Sequence, residues 1–161
     1  MVNTKAQCPC GLPEPYNVCC GVFHKRSASP KTAEQLMRSR YSAFALSEFG
    51  YLLDTSPVVD RDAALAQLEK SNVGCKWLSL EVIDSVDGTE RDGAGTVEFV
   101  ARYFQSGTVH SMRERSQFEK KNGCWLYING EMMASDEPII QSMNAVCFCS
   151  SGKKFKRCHG K

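Results

Sequence analysis

Eight residues, four near each end of the chain, have the types and spacing that hold a metal ion. Cys8-Pro9-Cys10-Gly11 is followed by Cys19-Cys20-Gly21, and Cys147-Phe148-Cys149-Ser150 by Cys158-His159-Gly160. Each group reads C-x-C-x8-C with Cys or His directly after it. Every shared position recurs 139 residues further on, and so does an aromatic residue, Tyr16 and then Phe155. Zinc takes four sulfur or nitrogen donors in a tetrahedron, with sulfur at about 2.3 Å and nitrogen at about 2.0–2.1 Å. One intervening residue sets two donors on a tight turn. An adjacent pair supplies the other two from a sharp bend, which the following Gly21 and Gly160 permit. Thiolates at all these positions require a strongly electropositive ion to lower their pKa. Four protein donors leave no open position for water, so the expectation is two structural zinc ions, one per cluster.

The competing readings are disulfides, metal-free thiols and a redox pair. The N-terminus MVNTKAQCPC lacks the apolar stretch of a signal peptide, which argues against secretion and so against a disulfide framework. Metal-free thiols would leave the Pro- and Gly-punctuated segment 1–21 without a source of order. Neither cluster has the C-x-x-C spacing of thioredoxin-type motifs. A cytoplasmic location is expected. No run of about 18 apolar residues is present, so no membrane span is expected. The chain has 161 residues and a net charge of +2, enough for one domain with a core and too little charge to imply a nucleic-acid or membrane partner.

These clusters must be carried by what lies between them. Ser27-Ala28-Ser29-Pro30 reads as a linker and helix entry. Thr32 with Gln35 fits a capping box, and one helix is predicted from Thr32 to about Asp54, with a bend near Gly50. Ala33, Leu36, Met37, Tyr41, Phe44, Tyr51 and Leu52 share its apolar face, and Arg40 and Glu48 project within that sector. A second helix is predicted over Asp60–Ser71. Strand-like runs follow at Trp77–Ile83, Thr96–Gln105, Val109–Lys120 and Trp125–Ile128, with Asn122-Gly123 the strongest hairpin signal. Residues 131–146 read as a connector. Two helices followed by an antiparallel meander make an α+β domain, with boundaries at 1–26, 27–134 and 135–161.

Inside such a domain a cavity could form between helix and sheet, lined by Arg40, Glu48, Glu114 and Arg115, although alternation puts Glu114 and Arg115 on opposite faces. An internal ion pair is the plainer alternative. His110 reads as a turn-proximal surface residue, and Cys75 and Cys124 as packed thiols. No catalytic residue is assigned and no enzyme activity is expected. The C-terminal ten residues carry Lys153, Lys154, Lys156, Arg157 and Lys161 without an acid. Charges set between metal donors are fixed in space when the module folds, which lowers the ordering cost of binding.

The stretch Cys147 to Gly160 resembles the SEC-C motif, the zinc-binding tail of the bacterial export motor SecA. The resemblance implies Cys147, Cys149, Cys158 and His159 as ligands, with Phe148 and Ser150 in place of the usual Pro and Gly. The N-terminal copy keeps Pro9 and Gly11 but has Leu12-Pro13-Glu14-Pro15 where the other copy has Ser151-Gly152-Lys153-Lys154. Cys8, Cys10, Cys19 and Cys20 carry over by spacing. With Leu36-Met37-Arg38-Ser39-Arg40-Tyr41-Ser42-Ala43-Phe44 between the copies, the chain is similar to the YchJ family over nearly its whole length. That resemblance implies an NTF2-like (cystatin-like) middle domain of helices on a curved antiparallel sheet, with a SEC-C module at each end. It implies no particular activity. The functional expectation is a zinc-binding adaptor whose Lys153, Lys154, Lys156 and Arg157 dock a protein or the ribosome. A small-molecule receptor or enzyme using the cavity is the rival, and an RNA-associated factor is the third reading.

Overall fold

The computed structural model describes residues 6–147 and 151–160. Cys149 and Lys161, both singled out above, lie outside the described residues. Four helices, α1 (Gly21–His24), α2 (Ala33–Leu46), α3 (Phe49–Asp54) and α4 (Arg61–Asn72), precede a meander of β1 (Lys76–Asp87), β2 (Ala94–Gln105), β3 (Thr108–Lys121) and β4 (Cys124–Met133). The strands pair antiparallel in chain order, and β5 (Ile139–Ile140) adds to Thr108 and Val109 of β3. The fold is therefore α+β with helices on one antiparallel sheet.

The local causes are readable. The Thr32 side chain accepts from the Gln35 N–H at 3.1 Å, while Gln35 Oε1 accepts from the Lys31 N–H at 2.8 Å, so α2 is capped at its first turn. Asp60 caps α4 through the Ala63 N–H at 2.9 Å. Asn122 and Gly123 both have positive φ, 51° and 80°, as do Ser106 and Gly107, 51° and 83°; these pairs turn the β3–β4 and β2–β3 hairpins. Register shifts at Trp77/Ser79 and Val82/Asp84 in the β1–β2 pairing, and at Gln117/Phe118 against β4, bend the sheet.

The core sits on the concave face, where Ala33, Leu36, Met37 and Tyr41 of α2 meet Val97, Phe99, Ala101, Phe118 and Trp125. Main-chain bonds fasten the two layers: the Ala33 N–H donates to Gly88 O and the Tyr127 N–H to Thr55 O, both at 2.9 Å. On the convex face Glu98, only 5% exposed, is held between Arg113 and Arg115. Hydrogen bonds from Arg115, then Arg113, keep its carboxyl below the usual range.

Three expectations are corrected. The predicted long helix breaks at Ser47, not Gly50: Ser47 takes a left-handed conformation (φ 59°), and the Glu48 N–H turns back to Ala43 O at 2.8 Å. Gly50 stands in open space. The break returns α3 across α2, so that Tyr51 donates to Ser39 Oγ at 2.7 Å while Ser39 Oγ donates to Leu36 O. The segment 131–146 is not merely a connector, because β4 runs on to Met133 and Ile139–Ile140 pairs with β3. Cys124 is not packed but exposed beside the hairpin turn, whereas Cys75 is half-buried and pushed up to about 11 by that burial.

Candidate metal centres and an internal cavity

Among the described residues, the two ends of the chain share a set of equivalent main-chain hydrogen bonds. In the first, the Cys8 N–H donates to Glu14 O at 3.1 Å, the Tyr16 N–H to Ala6 O at 2.9 Å and the Cys19 N–H to Tyr16 O at 3.2 Å. In the second, the Cys147 N–H donates to Lys153 O at 2.8 Å, the Phe155 N–H to Ala145 O at 2.8 Å and the Cys158 N–H to Phe155 O at 2.9 Å. A 3-10 turn follows in each, Tyr16–Val18 and Phe155–Arg157, and ends on a residue of unusual dihedrals: Cys19 at φ −105°, ψ −112°, and Cys158 at φ −129°, ψ −101°. The aromatic residue of each turn is buried against the glycine after the donor pair. A Cβ on Gly21 would stand 2.6 Å from Tyr16 O, and one on Gly160 would stand 2.7 Å from the Phe155 ring. Sharing one plan, both copies need glycine there.

In the first copy the sulfurs of Cys8, Cys10, Cys19 and Cys20 all lie within 4.8 Å of one another. Cys10 and Cys19 are 3.6 Å apart and Cys19 and Cys20 4.0 Å. An ion binding sulfur at about 2.3 Å in a tetrahedron separates its sulfurs by about 3.8 Å. These spacings are far from the roughly 2.05 Å of a disulfide. Four thiols so close cannot all ionise unaided. Hydrogen bonds from Cys10 and Cys20 hold the Cys8 thiol down, while burial, then the charge of Cys10, pushes Cys19 up to about 12. Hydrogen bonding to Cys10 and Cys8, followed by burial, pushes Cys20 up as well. A cation would let all four become thiolates, so the donor set fits a metal ion. Around it, Ser42 Oγ reaches Cys8 Sγ at 3.6 Å, and Arg38 donates to Cys10 O at 3.1 Å. Leu46 and Leu80 pack against the cluster, joining it to the main domain.

In the second copy the donor atoms of Cys147, Cys158 and His159 converge within 4.8 Å. His159 faces the sulfurs with Nδ1, 3.3 Å from Cys147 and 3.2 Å from Cys158. Burial, with Lys76 nearby, lowers its pKa and favours the neutral, ligating form. The Phe155 ring meets Phe104 edge-on at 4.9 Å, and Lys76 Nζ donates to His159 O at 2.7 Å, seating this module on the sheet. Lys153, Lys154, Lys156 and Arg157 are all exposed.

Between α2, α4 and the concave face lies a cavity of about 440 Å³. It brings together Arg40 and Glu114 of the four predicted residues, with walls from Phe44, Trp77, Tyr103 and Met112. Glu48 is exposed at the α2–α3 corner and Arg115 pairs with Glu98 on the convex face, so neither belongs to the cavity. Arg40 donates through Nη1 to Leu52 O at 2.9 Å, Thr55 Oγ1 at 2.6 Å and Ser56 Oγ at 2.9 Å, with its Cζ 4.6 Å from the centre of the Tyr127 ring. Burial lowers it to about 10, still charged at neutral pH. Glu114 Oε1 accepts from Ser116 at 2.6 Å and from Tyr127 at 3.2 Å. Gly130 makes this possible, since a Cβ there would fall on the Glu114 carboxyl. His110 is half-buried and stacked on Tyr103 at 5.1 Å.

Sequence reasoning missed the Tyr16–His24–Ser39 link: His24 Nδ1 accepts from Tyr16 at 2.8 Å and Nε2 donates to Ser39 O at 2.9 Å. The only signal was a histidine one helical turn beyond the donor pair. Gly130 was also missed; its sign is a glycine inside a strand.

Fold and donor clusters together define an NTF2-like domain protein with cysteine-rich terminal modules. Residues 32–130 match the family described as YchJ, middle NTF2-like domain, and residues 143–161 match the SEC-C motif. The chain belongs to the YchJ (UPF0225) family. It is 39% identical to a UPF0225 protein of Shewanella sp. (strain ANA-3), covering 94% of each chain, and 37% identical to one of Vibrio parahaemolyticus, covering 96% of this chain and 99% of the other. Among solved structures, a SEC-C motif containing protein from Rhodopseudomonas palustris is similar with a TM-score of 0.67 and 36% identity, over 80% of this chain and all of that one. A sec-c motif containing protein from Psychrobacter arcticus gives a TM-score of 0.69 at 27% identity, over 99% and 98%. No helix among the described residues is long and apolar enough to cross a membrane.

Proposed function

We propose that the protein is a non-enzymatic adaptor held at both ends by structural zinc, with a C-terminal SEC-C module that presents a basic docking face. Zinc is the ion chosen because all-protein sets of Cys and His donors in a tetrahedron suit it, and because such closed sets serve structure. By the sequence repeat, Cys149, which lies outside the described residues, is assigned as the fourth donor of the second set. Reduced thiolates of this kind belong to the cytoplasm.

One observation carries the docking part. The described parts of the two modules share equivalent main-chain hydrogen bonds, and the positions of Lys153, Lys154, Lys156 and Arg157 are filled in the first copy by Glu14, Pro15, Asn17 and Val18. Forming the module therefore does not require these cations. Four exposed charges on a preorganised scaffold suit an acidic surface on a protein or on the ribosome. The first module instead packs on α2 and β1 and staples the N-terminal segment to the domain.

Cross-linking in cells, with wild-type protein and with Lys153, Lys154, Lys156 and Arg157 all changed to Glu, tests this. The expected result is loss of specific partners with metal content retained, and recovery of the wild-type partners after nuclease treatment when the partner is protein. Identical partner sets for both proteins would refute docking through this face. Capture that disappears with nuclease and falls steeply with salt would favour RNA instead.

A further inference from the structure

We propose that the cavity under α2 and α4 binds a small aromatic carboxylate bearing a hydroxyl or amino donor, its carboxylate on the open edge of Arg40 and its donor on Glu114. At about 440 Å³ the space lies in the range of small-molecule sites and holds a ligand of one or two rings.

Arg40 sets the anionic end. Its Nη1 is committed to three oxygens of α3 and the turn after it. Its Nε and Nη2, the side-on fork that takes a carboxylate with two parallel bonds, have no hydrogen-bond partner among the described residues. No acid among those residues lies within ion-pair distance of it. The Tyr127 ring covers one face of the guanidinium plane, and a carboxylate bonded to both free nitrogens would lie in that plane along the edge. Glu114 attracts this cation only from beyond ion-pair distance, and a ligand carboxylate would add the direct pair that its free edge lacks.

Glu114 sets the other end. Oε1 already accepts from Ser116 and Tyr127, while Oε2 has no partner among the described residues and calls for a donor. It would repel a second carboxylate beside it, so the acid of the ligand goes to Arg40 and the O–H or N–H to Glu114. Both residues touch Tyr127, which makes them neighbours. Between and beyond them the walls include aromatic rings and a thioether: Phe44, Trp77, Tyr103 and Met112. A flat aromatic body fits such walls through offset and edge-on contacts.

The test is titration of the full chain, purified reduced, with 4-hydroxybenzoate, 4-hydroxycinnamate and indole-3-acetate, each beside its methyl ester, read by calorimetry and Trp fluorescence. At least one acid should bind saturably, with its ester weaker by about tenfold or more. Arg40→Lys should lose a similar factor, because a point charge does not replace the fork. Met112→Trp should fill the cavity and abolish binding while the thermal transition and metal content persist. Absence of saturable binding for all three acids, equal binding of acid and ester, or unchanged binding in folded Met112→Trp would each overturn the proposal.

Discussion

The Tyr16 hydroxyl donates to Nδ1 of His24 across 2.8 Å, and the opposite nitrogen of that ring donates to Ser39 O of α2 at 2.9 Å. One imidazole thus ties the aromatic residue under the first cysteine cluster to the central helix. The Ser39 carbonyl fixes Nε2 as a donor, and burial favours the neutral ring, which leaves Nδ1 to accept from Tyr16.

Burial lowers the His24 pKa. The unfolded ring takes a proton near pH 6.5 and the folded ring only below that. In this window the unfolded chain holds more protons, so stability falls as pH falls below about 6.5 and is fully restored above it. The melting temperature should decline across this range, and His24→Gln should show a shallower decline. Parallel pH profiles for the two proteins would contradict the assignment.

Ser47 holds a left-handed conformation at φ 59° to end α2. That conformation costs a non-glycine residue about 1 kcal/mol or more, and glycine is the common solution at helix ends. Ser47→Gly should raise stability by roughly 0.5–1 kcal/mol in urea denaturation. Gly50→Ala, in open space within α3, should also stabilise, by up to about 1 kcal/mol.

Gly21 and Gly160 face their aromatic partners with no room for a methyl group. Gly21→Ala should cost about 1–3 kcal/mol and lower the melting temperature of the whole chain, because the first module shares contacts with Leu46 and Leu80. Gly160→Ala should chiefly loosen metal at the second site. Thermal melting and metal content, measured on both variants, separate the two effects.

Much of this architecture was legible because local chemistry agreed with the fold. Thr32 with Gln35, Asp60, and the two-residue turn Asn122-Gly123 act through bonds to near neighbours, which a sequence displays. Alternation along β2 and β3 likewise separated Val97 and Phe99 from Glu98, and Glu114 from Arg115. What escaped depends on distance. Ser47 ends α2 because α3 must fold back to bring Tyr51 to Ser39 and Leu52 to Arg40, and no local signal states that. Glu48 lies on the apolar sector of an unbroken helix and leaves it once the helix breaks. Ile139–Ile140 becomes a strand only because the edge of β3 beyond β4 is free to pair with it. The cysteine repeat and the lysines confined to its second copy were plain in the sequence, whereas the equivalent hydrogen bonds of the two copies became visible only in the fold.

Metal content is the most direct test of the central claim. Protein purified reduced and without chelator should contain two zinc ions per chain by elemental analysis. Cys20→Ser and Cys158→Ser should each reduce this to one, and the double variant to none. A metal-free wild-type protein under these conditions, or full loading in the double variant, would contradict the account.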